Sequence, residues 1–277
     1  EDHFDTLTQQ LLNRNKPKLR RCYELQIWRE YRAKLKRNKR LEQAAEISKR
    51  AAAKINAVYH FMQKDAELIK QHLNPDIKFR YFNYPQPVFY NQIDAILKQQ
   101  PKIKASPYAK NIWVGNCGYP EANHLDCFEL LKETGEDVGI CVPLSYGDKA
   151  YIQEVIKEGE KRFGERFIPF TDYMEFADFI HLLNQMDITV QGHNNPWAMG
   201  NLSMLLYMGK KCYMKAHLPS YHWFRERGVE VEAMNNFNLA KAFEPLDDEL
   251  IAMHKLVVVQ QLSKDSATNY IRIMLSN

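Results

Sequence analysis

The chain has no run approaching the roughly 20 apolar residues that a bilayer-crossing helix needs, and its first residues show no signal-peptide pattern. It reads as a cytoplasmic protein. Cysteine is scarce: five residues, Cys22, Cys117, Cys127, Cys141 and Cys212, odd in number and with no C-x-x-C pair. That pattern argues against a disulfide framework and leaves reduced core or loop thiols. Only 11 glycines are present, and none builds a G-x-G-x-x-G or Walker A loop. H-E-x-x-H, G-x-S-x-G and zinc-type Cys/His pairings are missing too. So is D-x-D, the paired carboxylates that hold a divalent ion on a nucleotide diphosphate. Neither a metal nor a cofactor is implied.

What is present is length and a core: 277 residues, 45% of them hydrophobic, enough for one large or two ordinary domains. The net charge of +4 is unevenly placed, because residues 14–50 carry 14 Lys or Arg against 4 Glu and the remainder is net acidic. Within "KPKLRRCYELQIWREYRAKLKRNKRLEQ", Leu19, Tyr23, Ile27, Trp28, Tyr31 and Leu35 recur at steps of three and four, the mark of an amphipathic helix. Three settings suit it. It can pack on a neighbouring element, or follow a nucleic-acid backbone. It can also rest on anionic lipid, with Trp28 and Tyr31 at the headgroups and Arg20, Arg21, Lys36 and Arg37 around them.

Downstream the pattern becomes α/β. "LEQAAEISKRAAAKI" (41–55) reads as a helix, "NAVYHF" as a strand, "KDAELIKQHL" as a helix and "IKFRYF" as a strand. Pro85 and Pro87, followed by the polar "KQQPKIKASPYAK", mark a linker over 89–110. From residue 111 the alternation is sustained, with strands expected at 112–115, 138–143, 166–170, 187–191, 211–214 and 229–232. Helices are expected at 121–134, 148–163, 174–185, 200–208 and 219–227. This predicts a doubly wound parallel sheet with its ligand at the carboxyl ends of the strands. The expected organisation is a basic helical segment plus a partial Rossmann-like domain over 1–88, the linker, a nucleotide-binding Rossmann-like domain over 111–262, and a helix over 263–277 able to pack back on the first domain. Residues 1–50 show no strand and the chain opens on Glu1, so the front of the first domain is expected to be absent or diverged.

Four loops then share one edge: "NCGYPEANH", "LSYGD", "TDYME" and "GHNNPWAMGN". Singly each is ordinary turn chemistry, and Asp148 or Thr171 can simply cap a helix. Together they point to a ligand. Gly200 and Asn201 open an apolar helix whose free N–H groups and positive dipole end suit a diphosphate without a cation. Tyr146 or Tyr173 can stack on a base, and backbone near Met174 can read its edge. Glu175 either binds ribose hydroxyls or favours the start of its helix. His193, Asn194 and Asn195 reach toward the same cleft. His124 is the one candidate for acid–base work, with a phosphate hydrogen bond or a satisfied cleft histidine as its other roles.

"IWVGNCGYPEANHLDCFELL", "ICVPLSYGDKAYIQEVIKEG", "DYMEFADFIHLLNQMDI" and "MGNLSMLLYMGKKCYM" resemble, in that order, the bacterial TDP-N-acetylfucosamine:lipid II N-acetylfucosaminyltransferases, also called 4-alpha-L-fucosyltransferases. The likeness runs from about residue 41 to 228 and is densest between 111 and 214. By position, the family's motifs fall on Asn116, Gly118, Asn123, His124, Pro143, Tyr146, Glu175, Phe176, Gly200 and Asn201. The resemblance implies a GT-B-like fold of two Rossmann-like domains, with the donor nucleotide held by the C-terminal one. It implies metal-independent transfer of a deoxyamino sugar from TDP to a saccharide on a polyprenyl diphosphate, at the inner face of the bacterial membrane. The pathway implied is assembly of a cell-surface polysaccharide like enterobacterial common antigen. The family loop before the last helix tends to read R-Q-Q-G-I-G, whereas Asn194 to Gly200 here contains no arginine. Neutral groups are therefore expected to hold the phosphates. The alternative is a non-catalytic nucleotide-binding or nucleic-acid-associated α/β module.

Overall fold

The computed structural model describes residue 40 and residues 42–82 and 90–276. Arg20, Arg21, Trp28, Tyr31, Lys36 and Arg37, the expected membrane-facing set, lie outside the described residues, as do Pro85 and Pro87. The chain divides into a smaller unit, Asn13–Phe82, and a larger one containing Asn83–Asn277.

The described part of the smaller unit is one βαβ turn behind a helical run at 42–52. Strand β1 (Ala57–His60) and strand β2 (Lys78–Tyr81) pair in parallel, with Ala57 opposite Lys78, and helix α1 (Gln63–His72) connects them. Both strands are rich in the β-branched and aromatic residues that favour a pleated surface. Asp65 lies in the first turn of α1, where its charge suits the helix dipole. Asn74 donates through its side-chain amide to the Ala52 carbonyl at 2.8 Å, tying the turn after α1 to the end of the helical run.

The larger unit begins with helix α2 (Tyr90–Leu97), so the stretch expected as a linker carries structure. Tyr90 and Ile93 supply its apolar face and are buried. The Tyr207 hydroxyl donates to Asp94 at 2.7 Å, which fixes the helix against the sheet's helical layer. After it come β3 (Lys110–Val114), α3 (His124–Leu130), β4 (Val138–Pro143), α4 (Lys149–Phe163), β5 (Phe167–Phe170), α5 (Phe176–Asn184), β6 (Ile188–Gln191) and α6 (Met199–Tyr207). Strand β7 (Lys211–Met214), α7 (Pro219–Arg225) and β8 (Glu232–Ala233) complete the alternation. Three helices close the unit: α8 (Leu239–Ala242), α9 (Asp248–Leu262) and α10 (Lys264–Leu275).

The six strands form one parallel sheet in the order β5-β4-β3-β6-β7-β8. They are apolar on both faces, as strands sandwiched between helices must be; every position of β4 is buried. Ile112, Val114, Ile140, Val142, Ile188 and Val190 form the centre of the core. The chain winds from β3 outward to β5, then restarts at β6 on the other side of β3. The crevice between the carboxyl ends of β3 and β6 is thus a topological switch point, where open α/β sheets bind ligands.

The departures from the expected elements have local causes. The helix expected over 121–134 resolves into a single turn, Pro120–Ala122, and α3, because Asn123 adopts a left-handed conformation at φ 51°. The strand expected at 229–232 is displaced to β8, since the Glu230 N–H donates to His254 Nε2 at 2.9 Å rather than to a neighbouring strand. Helix α9 is capped by Asp247, whose carboxylate accepts from the Glu249 N–H at 2.8 Å. Among the described residues, no helix is long and apolar enough to cross a membrane.

Candidate functional site

The loops after β3 and β4 are joined backbone to backbone. Gly118 donates to the Tyr146 carbonyl at 2.8 Å and accepts from the Asp148 N–H at 3.0 Å, so Gly118 and Gly147 form a parallel bridge. Only glycine fits at position 147. Its φ is 143°, and a Cβ there would sit 2.4 Å from the carbonyl carbon and oxygen of Gly118. Asp148 caps α4 by accepting from Tyr151 N–H at 2.8 Å. The clasp presents Tyr146 to solvent beside Tyr119, their rings 6.3 Å apart and edge to face. Pro143 is buried as the last residue of β4.

The loops after β3 and β6 meet at the switch point. His193 Nε2 and Asn116 Oδ1 lie 2.5 Å apart, so Nε2 carries the proton and donates. The His193 ring is buried and lies 6.0 Å from the half-exposed Trp197 ring. Asn123, expected to touch the ligand, ties two neighbouring turns together. It is fully buried, and its amide donates to the Gly192 carbonyl at 2.8 Å and to the Glu121 carbonyl at 3.1 Å.

His124 is enclosed as well. Its side chain is fully buried, and Nδ1 lies 3.2 Å from the Tyr151 hydroxyl. Its Nε2 is packed so closely on Gly115 that a Cβ there would stand 2.9 Å away. Burial, reinforced by nearby His193, pushes its imidazole down to about 3. Burial, then the Lys215 ammonium, pushes His193 down to about 4. Both rings are neutral in the folded protein where the unfolded chain would protonate them.

That difference has a consequence for stability. Between pH 6.5 and about 4 the unfolded chain binds more protons, so stability falls as pH falls, by on the order of 1 kcal/mol per pH unit for each histidine. Urea unfolding at pH 7 and pH 5 measures the slope. Replacing His193 with Gln should flatten it by one histidine's share; an unchanged slope would place the protons elsewhere.

Helix α6 starts one residue earlier than expected, at Met199. Ala198 occupies its N-cap in a left-handed conformation, φ 60°, and has no side chain able to cap. The first-turn N–H groups of Met199, Gly200 and Asn201 thus lack the usual side-chain acceptor at that end. The apolar residues of α6, including Leu202, Leu205 and Leu206, are buried and hold this end rigidly. Asn195 accepts from the Trp197 N–H through its carbonyl at 2.7 Å, shaping the approach to the helix.

Tyr173, Met174 and Glu175 follow β5, three strand positions from β6, which at sheet spacing is roughly 14 Å. Tyr173 is largely exposed, and Glu175 stands at the N-cap of α5 without making a capping hydrogen bond. They share the edge with Gly200 and Asn201 but not their immediate neighbourhood. The extent from β5 to α6 suits an elongated ligand.

Lys215 escaped the sequence reading. It leaves the end of β7, whose Met214 is in register with Gln191 of β6. Its ammonium donates to Asn194 Oδ1 at 2.6 Å. The loop without a basic residue of its own thus receives one from the next strand. Its signal was a lysine directly following an apolar strand, uninterpretable until β7 was known to lie beside β6. Among the described residues, no group of three or more His, Cys, Asp or Glu is placed to hold a metal ion.

The six-stranded parallel sheet gives the larger unit an α/β fold that solved structures of low sequence identity share. Its fold is similar to a UDP-forming α,α-trehalose-phosphate synthase from Burkholderia xenovorans, with a TM-score of 0.57 and 12% identity over 80% of this chain and 60% of that one. It is similar, too, to a sucrose-phosphate synthase from Thermosynechococcus elongatus, with a TM-score of 0.61 and 9% identity over 85% of this chain and 63% of that one. The chain spans 50% to 63% of the length of the solved structures it resembles. No curated protein matches it. Residues 30–258 match the 4-alpha-L-fucosyltransferase family, glycosyl transferase group 56, and the chain belongs to that family.

Proposed function

We propose that the protein transfers a deoxyamino sugar resembling N-acetylfucosamine from TDP to a saccharide carried on a polyprenyl diphosphate, in assembly of a cell-surface polysaccharide. The observation that carries this reading is the coincidence of the family match with the polar switch-point edge: residues 30–258 contain every strand of the larger unit and all of its strand-end loops. The base and ribose lie along the loops after β4 and β5, where Tyr146 and Tyr173 offer exposed rings for stacking and Glu175 offers a carboxylate to ribose hydroxyls. The diphosphate reaches the uncapped start of α6, beside Asn194, Asn195, Gly200 and Asn201. Asn116, Gly118 and His193 form the adjoining wall.

In transfer, an acceptor hydroxyl attacks the anomeric carbon and gives up its proton to solvent, the bond from that carbon to the phosphate oxygen breaks, and TDP departs with the electron pair. The helix dipole and N–H groups at α6 stabilise the negative charge that develops there. The reading calls for neither metal nor cofactor. Residues 1–88 serve the acceptor side and 111–262 bind the donor. The basic segment containing Arg20, Arg21, Trp28, Tyr31, Lys36 and Arg37 holds the protein on the anionic cytoplasmic leaflet, where the lipid-linked acceptor resides. Calorimetric titration with TDP, UDP and GDP tests the donor: TDP should bind in the micromolar range and most tightly, and binding of none of the three would contradict the reading.

A further inference from the structure

The loops that follow the six strands contain acidic residues, at Glu121, Asp148, Asp172 and Glu175, but only one Lys or Arg, Lys215. Among the described residues of these loops, a diphosphate brought to this edge meets one fixed cation. Lys215 stands where that cation is needed. Its ammonium is held by Asn194 at 2.6 Å, and its charge is felt at His193 strongly enough to help depress that imidazole. It also lines a hollow of about 370 Å³ with Ala216, His217, Met234 and Asn235, within the roughly 300–1,000 Å³ range of small-molecule sites. The register explains this grouping. Met214 of β7 pairs with Ala233 of β8, so Lys215 and Met234 leave adjacent strands at the same edge.

We propose that this hollow is the phosphate subsite of the donor site, with Lys215 as the charged ligand of the diphosphate and His217 and Asn235 as its hydrogen-bonding walls. The assignment rests on the nucleotide-sugar reading above. Without a ligand, Asn194 accepts from the ammonium; with one, phosphate oxygens accept instead, and the Asn194 amide nitrogen is turned toward them. Lysine suits the task as a compact point charge with three donors on a flexible stem. It supplies from the end of β7 the positive charge that the 194–200 loop lacks.

Titrations of the whole chain with TDP and with TMP, for wild type and for Lys215→Met, Lys215→Arg and His217→Gln, test the assignment. A lysine's charge-assisted contact predicts that Lys215→Met weakens TDP binding about tenfold or more. It should weaken TMP binding far less, so that the preference for the diphosphate collapses. Lys215→Arg should keep most of the preference, and His217→Gln should weaken TDP severalfold. A merely structural lysine would lower the melting temperature while leaving the TDP-to-TMP ratio intact, and that result would overturn the assignment. If wild type binds TDP and all three variants bind it equally well, the subsite fails while the donor reading stands. If wild type binds neither nucleotide, the donor reading fails and the subsite with it.

Discussion

Replacing Gly147 with alanine is expected to destabilise the protein by about 3 kcal/mol or more. Two effects combine. The backbone at φ 143° is a conformation that residues with a Cβ rarely adopt. The new methyl would also lie 2.4 Å from the Gly118 carbonyl, and backbone cannot retreat as a flexible side chain can. The loops must separate, giving up the hydrogen bonds from Gly118 N–H to Tyr146 O and from Asp148 N–H to Gly118 O, each contributing about 1 kcal/mol. Urea unfolding measures the loss. The Tyr119–Tyr146 pair rests on this clasp, so nucleotide affinity should fall as well. Unchanged stability would mean that the Gly118–Gly147 bridge is absent in solution.

Changing Asn201 to Asp separates two quantities that most substitutions move together. Asn201 is in the first turn of α6, where a carboxylate is favourable to the helix itself by a few tenths to about 1 kcal/mol. Stability should therefore hold or rise slightly. A diphosphate bound at the same turn would meet a fixed negative charge, and TDP affinity should fall about tenfold or more. Calorimetry with parallel thermal melts reads both. Equal TDP affinity in the variant would remove the diphosphate from this helix.

Much of the larger unit was legible in the chain because parallel strands buried on both faces must be continuous apolar runs. "VGICVP" and "KCYM" can hardly be anything else between polar loops. The site's outline followed, since strand-to-helix turns announce themselves through Gly, Asn and Pro. What escaped depends on order across the sheet. The reach of Lys215 to Asn194 requires β7 beside β6, and the contact of Asn116 with His193 requires β6 beside β3; neither adjacency is written in local pattern. Asn123 and His124 look like ligands by residue type, yet one ties Gly192 and the other fills the space under Gly115. Helix α9 went unrecognised because its Val257, Val258 and Val259 favour a strand by propensity, and packing overrides that preference. Helix α2 was hidden behind Pro85 and Pro87, which suggested a linker continuing past Tyr90.

The claim on which the account turns is that a nucleoside diphosphate binds at the start of α6. Backbone amide hydrogen exchange of the whole chain, with and without saturating TDP, addresses it at the residues concerned. Exchange at Gly200 and Asn201 should slow markedly, and at Lys215 and Ala216 by less, while β1 and α1 stay unchanged. TDP binding that leaves the amides of Gly200 and Asn201 exchanging as before would contradict the account.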